Sequence, residues 1–442
     1  MNMKRKFSAV LRTILPLFCL VAVITSLPAT DVYAQEKEER KTKKAQSMSQ
    51  KVYEALTEAQ ELIEAKQYDQ GLAVLRDIEQ NPKLTPYEKA QLYNYFAYTY
   101  FTLEKYKDAI RSYQKVLQQP DLPEGLVASS LYTLAQLYFI EEDYKKAVAT
   151  IEKWFKINPK PTENAFMLLG QGYYQLGDYK KSLQPLKKAY KMVKDRGDQP
   201  KENLLLLMRV DYFELGDFKN MVNVLKEMVV LYPKTEYWLT MAGAYSELKS
   251  LDKQMSIMEM LYESGNLPKG NQQLNLANLY LLHEVPYKAA VLMEKGMKAK
   301  LIERNVRNLR LLSQAWLQAQ ESKKAIPPLK AAANLSKDGD LDVRLAQAYI
   351  NLDMYKEAID SLNTALKKGG VKRRDTAYVM LGLANFELQR FNGAIKAFSE
   401  AAKDKRSRKT AEQWLGHVKG EQARKKQLQD SIRENNAQAN AA

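Results

Sequence analysis

The sequence has very few of the residues from which most metal and nucleophile sites are built. Its 442 residues include one cysteine, Cys19, and two histidines, His283 and His417. A single cysteine excludes a disulfide within the chain and a zinc site built from several thiolates. His283 and Glu284 begin like a zinc-protease helix, but Tyr287 stands where the second histidine should be. We therefore expect no metal and no cofactor.

Phosphate-loop and nucleophile motifs are also incomplete. Gly170 and Gly172 resemble part of a phosphate loop, but they lie inside a predicted helix with no strand before it. Gly265 and Gly270 have the spacing of such a loop without the Lys-Ser/Thr that should follow. No strand–turn–helix nucleophile elbow is found. The sequence thus predicts a protein that is not an enzyme.

Glycine and proline are scarce, at 18 and 15 residues, and the chain is 45% hydrophobic and 27% charged. This composition is typical of a folded, helix-rich protein. The formal net charge of +16 favours partners with acidic surfaces, anionic membranes or nucleic acid.

The first 34 residues have the pattern of a secretory signal peptide. Four basic residues precede an apolar stretch over residues 14–27, and small residues follow at 32–34. The apolar stretch is shorter than the roughly 20 residues that span a bilayer. We expect cleavage between Ala34 and Gln35 and a periplasmic protein, with an uncleaved anchor as the open alternative. Export argues against nucleic acid as a partner.

Residues 35–50 are polar and charged, which predicts a flexible lead-in. From residue 51 to about 408, an aromatic residue followed three positions later by a small residue recurs every 33 to 39 residues. The clear instances are Tyr68/Gly71, Tyr106/Ala109, Tyr144/Ala147, Tyr179/Ser182, Tyr287/Ala290, Tyr355/Ala358 and Phe391/Ala394. Degenerate copies begin at Phe218, Leu251 and Ser322.

A second signature precedes each of these: a bulky residue, a small residue and an aromatic three positions on, as in Phe96-Ala97 with Tyr100. Small residues on both helices allow close approach, and one such unit cannot bury its apolar face alone.

These signatures resemble the tetratricopeptide repeat (TPR), whose period is 34 residues. The resemblance implies an all-α, right-handed superhelical solenoid of about ten helix-turn-helix repeats with a concave face. We expect a capping helix over residues 409–433 and a disordered tail over 434–442.

In TPR arrays the first helix of each unit lines the concave face. The residues expected there in four consecutive units alternate between amides and aromatics, which suits an extended peptide. They are Asn94, Tyr98, Phe101, Tyr132, Gln136, Phe139, Asn164, Gln171, Tyr174 and Asn203. Packing between units is the open alternative for the aromatics. The dicarboxylate clamp of chaperone-binding repeats is not matched.

A basic segment, Lys372, Arg373 and Arg374, lies near the C-terminal end. It is either a contact for anionic membrane or a solvated face.

The chain as a whole resembles exported TPR proteins of gammaproteobacteria that are encoded with the TonB, ExbB and ExbD machinery. The resemblance lies in the leader, the lead-in from Gln35, the opening unit at residues 53–58 and the closing residues 412–422. It implies an accessory of TonB-dependent uptake of iron complexes, with TonB, ExbB or ExbD as partners. A scaffold in envelope assembly and a regulator of a cell-wall enzyme remain alternatives.

Overall fold

The computed structural model describes residues 47–439, with side chains to residue 436. The predicted signal peptide at residues 1–34 and most of the lead-in lie outside the described residues. Between residues 47 and 439 the chain forms 21 α-helices and no strand. It divides into two compact units, Met1–Tyr232 and Pro233–Ala442. The prediction of an all-helical array of about ten helical hairpins is confirmed.

Unit 1 contains five hairpins, each made of two consecutive helices. Their bounds are α1 Gln50–Glu64, α2 Tyr68–Glu79, α3 Pro86–Thr102, α4 Tyr106–Leu117, α5 Glu124–Ile140, α6 Tyr144–Ile157, α7 Glu163–Gln175, α8 Tyr179–Asp195, α9 Glu202–Glu214 and α10 Phe218–Leu231.

Unit 2 contains five further hairpins and a terminal helix. Their bounds are α11 Thr235–Glu247, α12 Leu251–Glu263, α13 Gly270–Leu282, α14 Pro286–Lys298, α15 Val306–Gln318, α16 Ser322–Leu335, α17 Asp340–Ile350, α18 Tyr355–Lys368, α19 Arg374–Glu387, α20 Phe391–Ala401 and α21 Arg408–Ala439. The degenerate repeats that begin at Leu251 and Ser322 form hairpins like the others.

Each hairpin turn is closed by one residue with a left-handed backbone. At Gly177 the torsion φ is +76°, its N–H donates to the carbonyl of Tyr174, and the N–H of Asp178 donates to the carbonyl of Tyr173. This pattern satisfies carbonyls left unpaired at the end of a helix. Glycine occupies this position in only two hairpins. In the other eight a residue with a side chain, such as Glu142, takes the left-handed backbone conformation, which costs more free energy than it does for glycine.

The small residues mark where the two helices of a hairpin approach each other. A Cβ added to Gly170 would lie 2.5 Å from a methyl carbon of Leu186. The Ser182 hydroxyl donates to the carbonyl oxygen of Gly170 at 2.9 Å. Gly170 is therefore a packing residue and not part of a phosphate loop.

An aromatic residue near the end of the first helix joins successive hairpins. The Tyr280 hydroxyl on α13 donates to Glu259 on α12 at 2.9 Å, and the Lys288 ammonium lies 5.8 Å from the centre of its ring. Trp316 on α15 repeats this arrangement, donating to Glu294 at 3.0 Å under Lys324. Its 2% exposure shows that the repeat at Ser322 packs well without the usual aromatic at its second helix.

The terminal helix α21 covers the end of unit 2. Trp414 stacks on Phe398 with ring centres 5.8 Å apart, and Val418 is fully buried. The helix continues to Ala439, so it includes residues 434–439 that the sequence assigned to a disordered tail. Within the described residues, no helix is long and apolar enough to cross a membrane.

Candidate functional site

Clefts form where the first helices of neighbouring hairpins lie side by side. In unit 1 a cleft of about 470 Å³ lies between α1 and α3. In unit 2 a cleft of about 390 Å³ lies between α13 and α15. Because both occur at equivalent positions of the repeat, the first-helix surface is the recurring concave feature of each unit.

The unit 2 cleft is lined by amides from one helix and guanidinium groups from the next. On α13 the lining residues are Asn271, Leu274, Asn275 and Asn278; on α15 they are Arg307, Arg310, Leu311 and Gln314, with the buried Asn308 beside them. Both sets have the spacing i, i+3, i+4 and i+7, which places four side chains on one helix face. They also stand in the same register to the small residues Ala277 and Ser313. The repeat itself therefore brings them together.

The polar groups of this cleft are available to a ligand. The side chains of Asn271, Asn275, Arg307 and Arg310 are exposed. Among the described residues, neither arginine forms an ion pair or hydrogen bond that would occupy its guanidinium group. Leu274 and Leu311 are half-buried between them and form the apolar floor. Guanidinium groups bind carboxylates in bidentate geometry, and amides can pair with a peptide backbone.

The residues predicted for the concave face of unit 1 differ in accessibility. Tyr98 is 44% exposed and Asn164 is also exposed. Asn94 and Gln136 are half-buried, and so is Asn203, whose side-chain oxygen accepts from the Leu204 N–H at 2.9 Å. The exposed members are those that a partner could reach without rearrangement of the helices.

The predicted aromatics mostly pack on neighbouring rings. Phe101, Phe139 and Tyr174 each contact the first aromatic of the following helix, with ring centres 5.8 to 6.1 Å apart. Tyr132 lies 5.3 Å from the ring of Trp154, and Gln171 is only 9% exposed. These contacts give the rings a structural role inside each hairpin. A role in binding stays a prediction for them.

The unit 1 cleft combines amides with hydroxyls. Tyr53 is 62% exposed at its edge, and the Tyr95 hydroxyl donates to the side-chain oxygen of Gln60 at 2.7 Å. Thr57, Gln91 and the carboxylates of Glu61 and Glu64 complete the polar lining. Neither arginine nor lysine lines this cleft, so its chemistry differs from that of the unit 2 cleft.

The basic segment at residues 372–374 is partly structural. Arg373 donates twice to the buried carboxylate of Asp375, at 3.0 and 2.8 Å, and Ser407 donates to it at 2.7 Å. These contacts hold the pKa of Asp375 well below its usual range, with the Arg373 hydrogen bond as the largest cause. Lys372 is far more open, with 86% of its side chain exposed. Arg374 lies over the ring of Tyr378.

Sequence reasoning missed both clefts because it followed the aromatics. The available indication was the run of amides at Asn271, Asn275 and Asn278, followed one unit later by the polar residues Arg307, Arg310 and Gln314 on the same helix face.

Two family models match parts of the chain. The model of the RNPP family C-terminal domain matches residues 30–196, and a tetratricopeptide repeat model matches residues 343–408. No curated protein matches the chain.

Solved structures of TPR proteins resemble the chain at low similarity. A TPR protein from Parabacteroides merdae is 14% identical, with 60% of this chain and 99% of that chain covered and a TM-score of 0.33. The TPR2AB domain of yeast Sti1, solved with a pHSP90 peptide, is 14% identical over 62% and 99% with a TM-score of 0.33. The C-terminal part of a TPR repeat-containing protein from Cytophaga hutchinsonii is 12% identical over 64% and 95% with a TM-score of 0.35.

TPR proteins act as protein-interaction scaffolds. The fold assignment here depends on the ten hairpins, their recurring small residues and the repeat model matched within unit 2. By these observations the fold of this chain is that of a tetratricopeptide-repeat solenoid.

Proposed function

We propose that this chain is a protein-binding scaffold whose unit 2 cleft holds an extended segment of its partner. The observation that carries the proposal is the pairing of three asparagine amides with two unpaired guanidinium groups across one concave cleft. No other use of Arg307 and Arg310 is found among the described residues. Buried or paired arginines would have argued for a structural role instead.

The chemistry of the cleft favours an acidic segment in extended conformation. Asn275 can donate to a peptide carbonyl and accept from a peptide N–H group. Asn278 donates to the Leu274 carbonyl at 2.8 Å and keeps its side-chain oxygen as an acceptor. Arg307 and Arg310 are one helical turn apart, so they can engage carboxylates on two residues of the segment. An apolar side chain between those carboxylates would rest on Leu274 and Leu311. The expected motif therefore alternates acidic and apolar residues.

The same proposal covers the first-helix surface of unit 1. Tyr98 and Asn164 are exposed there, and Asn94, Gln136 and Asn203 are half-buried beside them. We assign these five residues to partner contact, while Phe101, Phe139 and Tyr174 support the hairpins on which the surface is built.

Selection of peptides from a random display library tests the unit 2 cleft. Peptides retained by the chain should be enriched in Asp and Glu. Binding should fall about tenfold or more in Arg310→Gln, because a charge-assisted hydrogen bond contributes about 1.5–3 kcal/mol. Lys330→Gln, an exposed cation on the second helix α16, is the matched control. Selected peptides without acidic residues, or equal loss in both variants, would contradict the proposal.

The setting we propose is the cell envelope, where the chain would assist TonB-dependent energy transduction. The support is the leader at residues 1–34, the predicted cleavage between Ala34 and Gln35, and the resemblance at residues 412–422. N-terminal sequencing of the protein from envelope fractions should begin at Gln35. Crosslinked complexes should contain TonB, ExbB or ExbD; secretin, pilus or polysaccharide-export components in their place would favour the assembly alternative.

A further inference from the structure

Ten lysines project from two consecutive second helices of unit 1, and we propose that they dock this protein on an anionic lipid bilayer. The lysines are Lys145, Lys146, Lys153 and Lys156 on α6 and Lys180, Lys181, Lys187, Lys188, Lys191 and Lys194 on α8. All ten are exposed. We call this surface the lysine face. It is separate from the first-helix clefts, so it can be tested independently of them.

The repeat aligns these lysines on one side of the molecule. Counted from the small residues Ala147 and Ser182, four lysine positions are identical in α6 and α8. At 3.6 residues per turn, all ten lysines fall within an arc of about 140° on the side opposite the small residue. Since the small residue faces the partner helix of the hairpin, the lysines point away from the core.

The two helices present one continuous surface because α7 joins them. The Tyr173 hydroxyl on α7 donates to Glu152 on α6, and the Lys181 ammonium on α8 lies 5.6 Å from the centre of the same ring. The Tyr173 contacts thus hold the lysine rows of α6 and α8 side by side. Burial, together with the hydrogen bond to Glu152, raises the pKa of Tyr173 to about 12, so the ring adds no negative charge of its own.

Few carboxylates offset this charge. Within the two helices, Glu152 and Asp195 are the acidic residues. Three of the ten lysines form ion pairs: Lys146 with Asp143, Lys181 with Asp178, and Lys194 with Glu227. The other seven have no ion pair within the described residues. Positive charge is therefore concentrated here beyond what local pairing requires.

The chemistry of the lysine face suits a plane of lipid headgroups better than a peptide. Its charges are compact ammonium groups on flexible stems, and neither of the two first-helix clefts lies among them. Juxtamembrane lysines near an anionic leaflet each strengthen binding about fivefold, or about 1 kcal/mol. By comparison, Arg373 of the basic segment at residues 372–374 is already paired with Asp375, and Arg406 pairs with the same carboxylate.

Vesicle co-sedimentation of the full chain tests the inference. Partitioning is measured on phosphatidylglycerol–phosphatidylcholine vesicles and on phosphatidylcholine alone, so that any contribution of the apolar leader appears in both. The ratio of the partition coefficients on the two lipids should fall by about 600-fold when Lys153, Lys156, Lys188 and Lys191 are changed to Gln, at about fivefold per lysine. Added salt should lower the same ratio.

The matched control changes Lys295, Lys298, Lys323 and Lys330 to Gln, which removes the same charge from exposed positions of unit 2. It should retain the preference for phosphatidylglycerol, and neither variant should shift the thermal unfolding midpoint. Equal losses in both variants would mean that only net charge matters, and would overturn the inference. So would binding of soluble polyphosphate as tightly as of vesicles with the same dependence on the four lysines.

Discussion

The Asp211 carboxyl group on α9 is buried without a hydrogen-bond partner, and replacing it should stabilise the protein by an amount that depends on pH. The residue is fully buried, and neither of its carboxyl oxygens has a hydrogen-bond partner among the described atoms. The neighbouring Ser182 hydroxyl gives its proton to the carbonyl of Gly170. Burial therefore raises the pKa of Asp211 to about 7, with repulsion from Glu214 as a smaller cause.

The magnitude follows from the two states. In the unfolded chain the carboxyl ionises near its ordinary pKa of 3.8, whereas in the folded protein it keeps its proton to about pH 7. Between these values the unfolded state binds fewer protons, so stability falls by about 1.4 kcal/mol per pH unit as pH rises. The total loss is up to about 4 kcal/mol, and it is complete above pH 7.

Asp211→Asn keeps the shape of the side chain and removes the titration. The free energy of unfolding is measured by urea titration at about pH 4 and about pH 8. The difference between the variant and the native chain should be larger at pH 8 than at pH 4, by up to about 4 kcal/mol in favour of the variant. Asp195→Asn changes an exposed carboxyl on α8 and is the control; it should change the free energy of unfolding little. A pH-independent difference for Asp211→Asn would refute the reasoning.

Two further predictions concern backbone and charge. Gly177→Ala should destabilise the protein by about 1 kcal/mol, because the torsion φ is +76° there, while Glu142→Gly at the equivalent turn should not destabilise it. Urea unfolding midpoints compare the two variants, and equal effects would show that the left-handed backbone of these turns does not affect stability. Arg373→Gln should destabilise the protein above about pH 4, since it leaves the Asp375 carboxylate buried without its main partner, and this difference should shrink as the carboxyl protonates on acidification. Lys372→Gln is its exposed neighbour and should change the unfolding free energy little; a loss equal to that of Arg373→Gln would contradict the assignment.

The fold could be predicted because the same packing residues, an aromatic and a small residue, recur in each unit of the sequence. Pairs such as Tyr106 and Ala109 mark where helices approach, and their recurrence at a fixed period predicts hairpins that stack. The degenerate copy at Ser322 still forms a hairpin, and Trp316 on the preceding helix makes the same contacts that Tyr280 makes in a repeat with its usual aromatic. An aromatic at the start of the second helix is thus not required for this hairpin to form.

The candidate site was harder to predict, for a reason visible at Phe101. The left-handed residue at Glu104 turns the chain so that Phe101 and Tyr106, five positions apart, come into ring contact. A helical wheel of the first helix places Phe101 toward the concave side. The turn, however, brings Tyr106 of the second helix against the Phe101 ring, so Phe101 packs inside the hairpin. The amides and arginines of the unit 2 cleft have no such partner, so the spacing from Asn271 to Asn278 was the better guide.

The central claim is that partners bind in the unit 2 cleft, and site-specific photocrosslinking in cells tests it most directly. A photoreactive amino acid at Gln314 lies in the cleft, and one at Lys330 lies on the exposed side of the neighbouring helix α16. We predict a discrete crosslinked protein from Gln314, its loss when Arg307 and Arg310 are changed to Glu, and no such product from Lys330. The same product from both positions, or its survival after the arginine changes, would contradict the account.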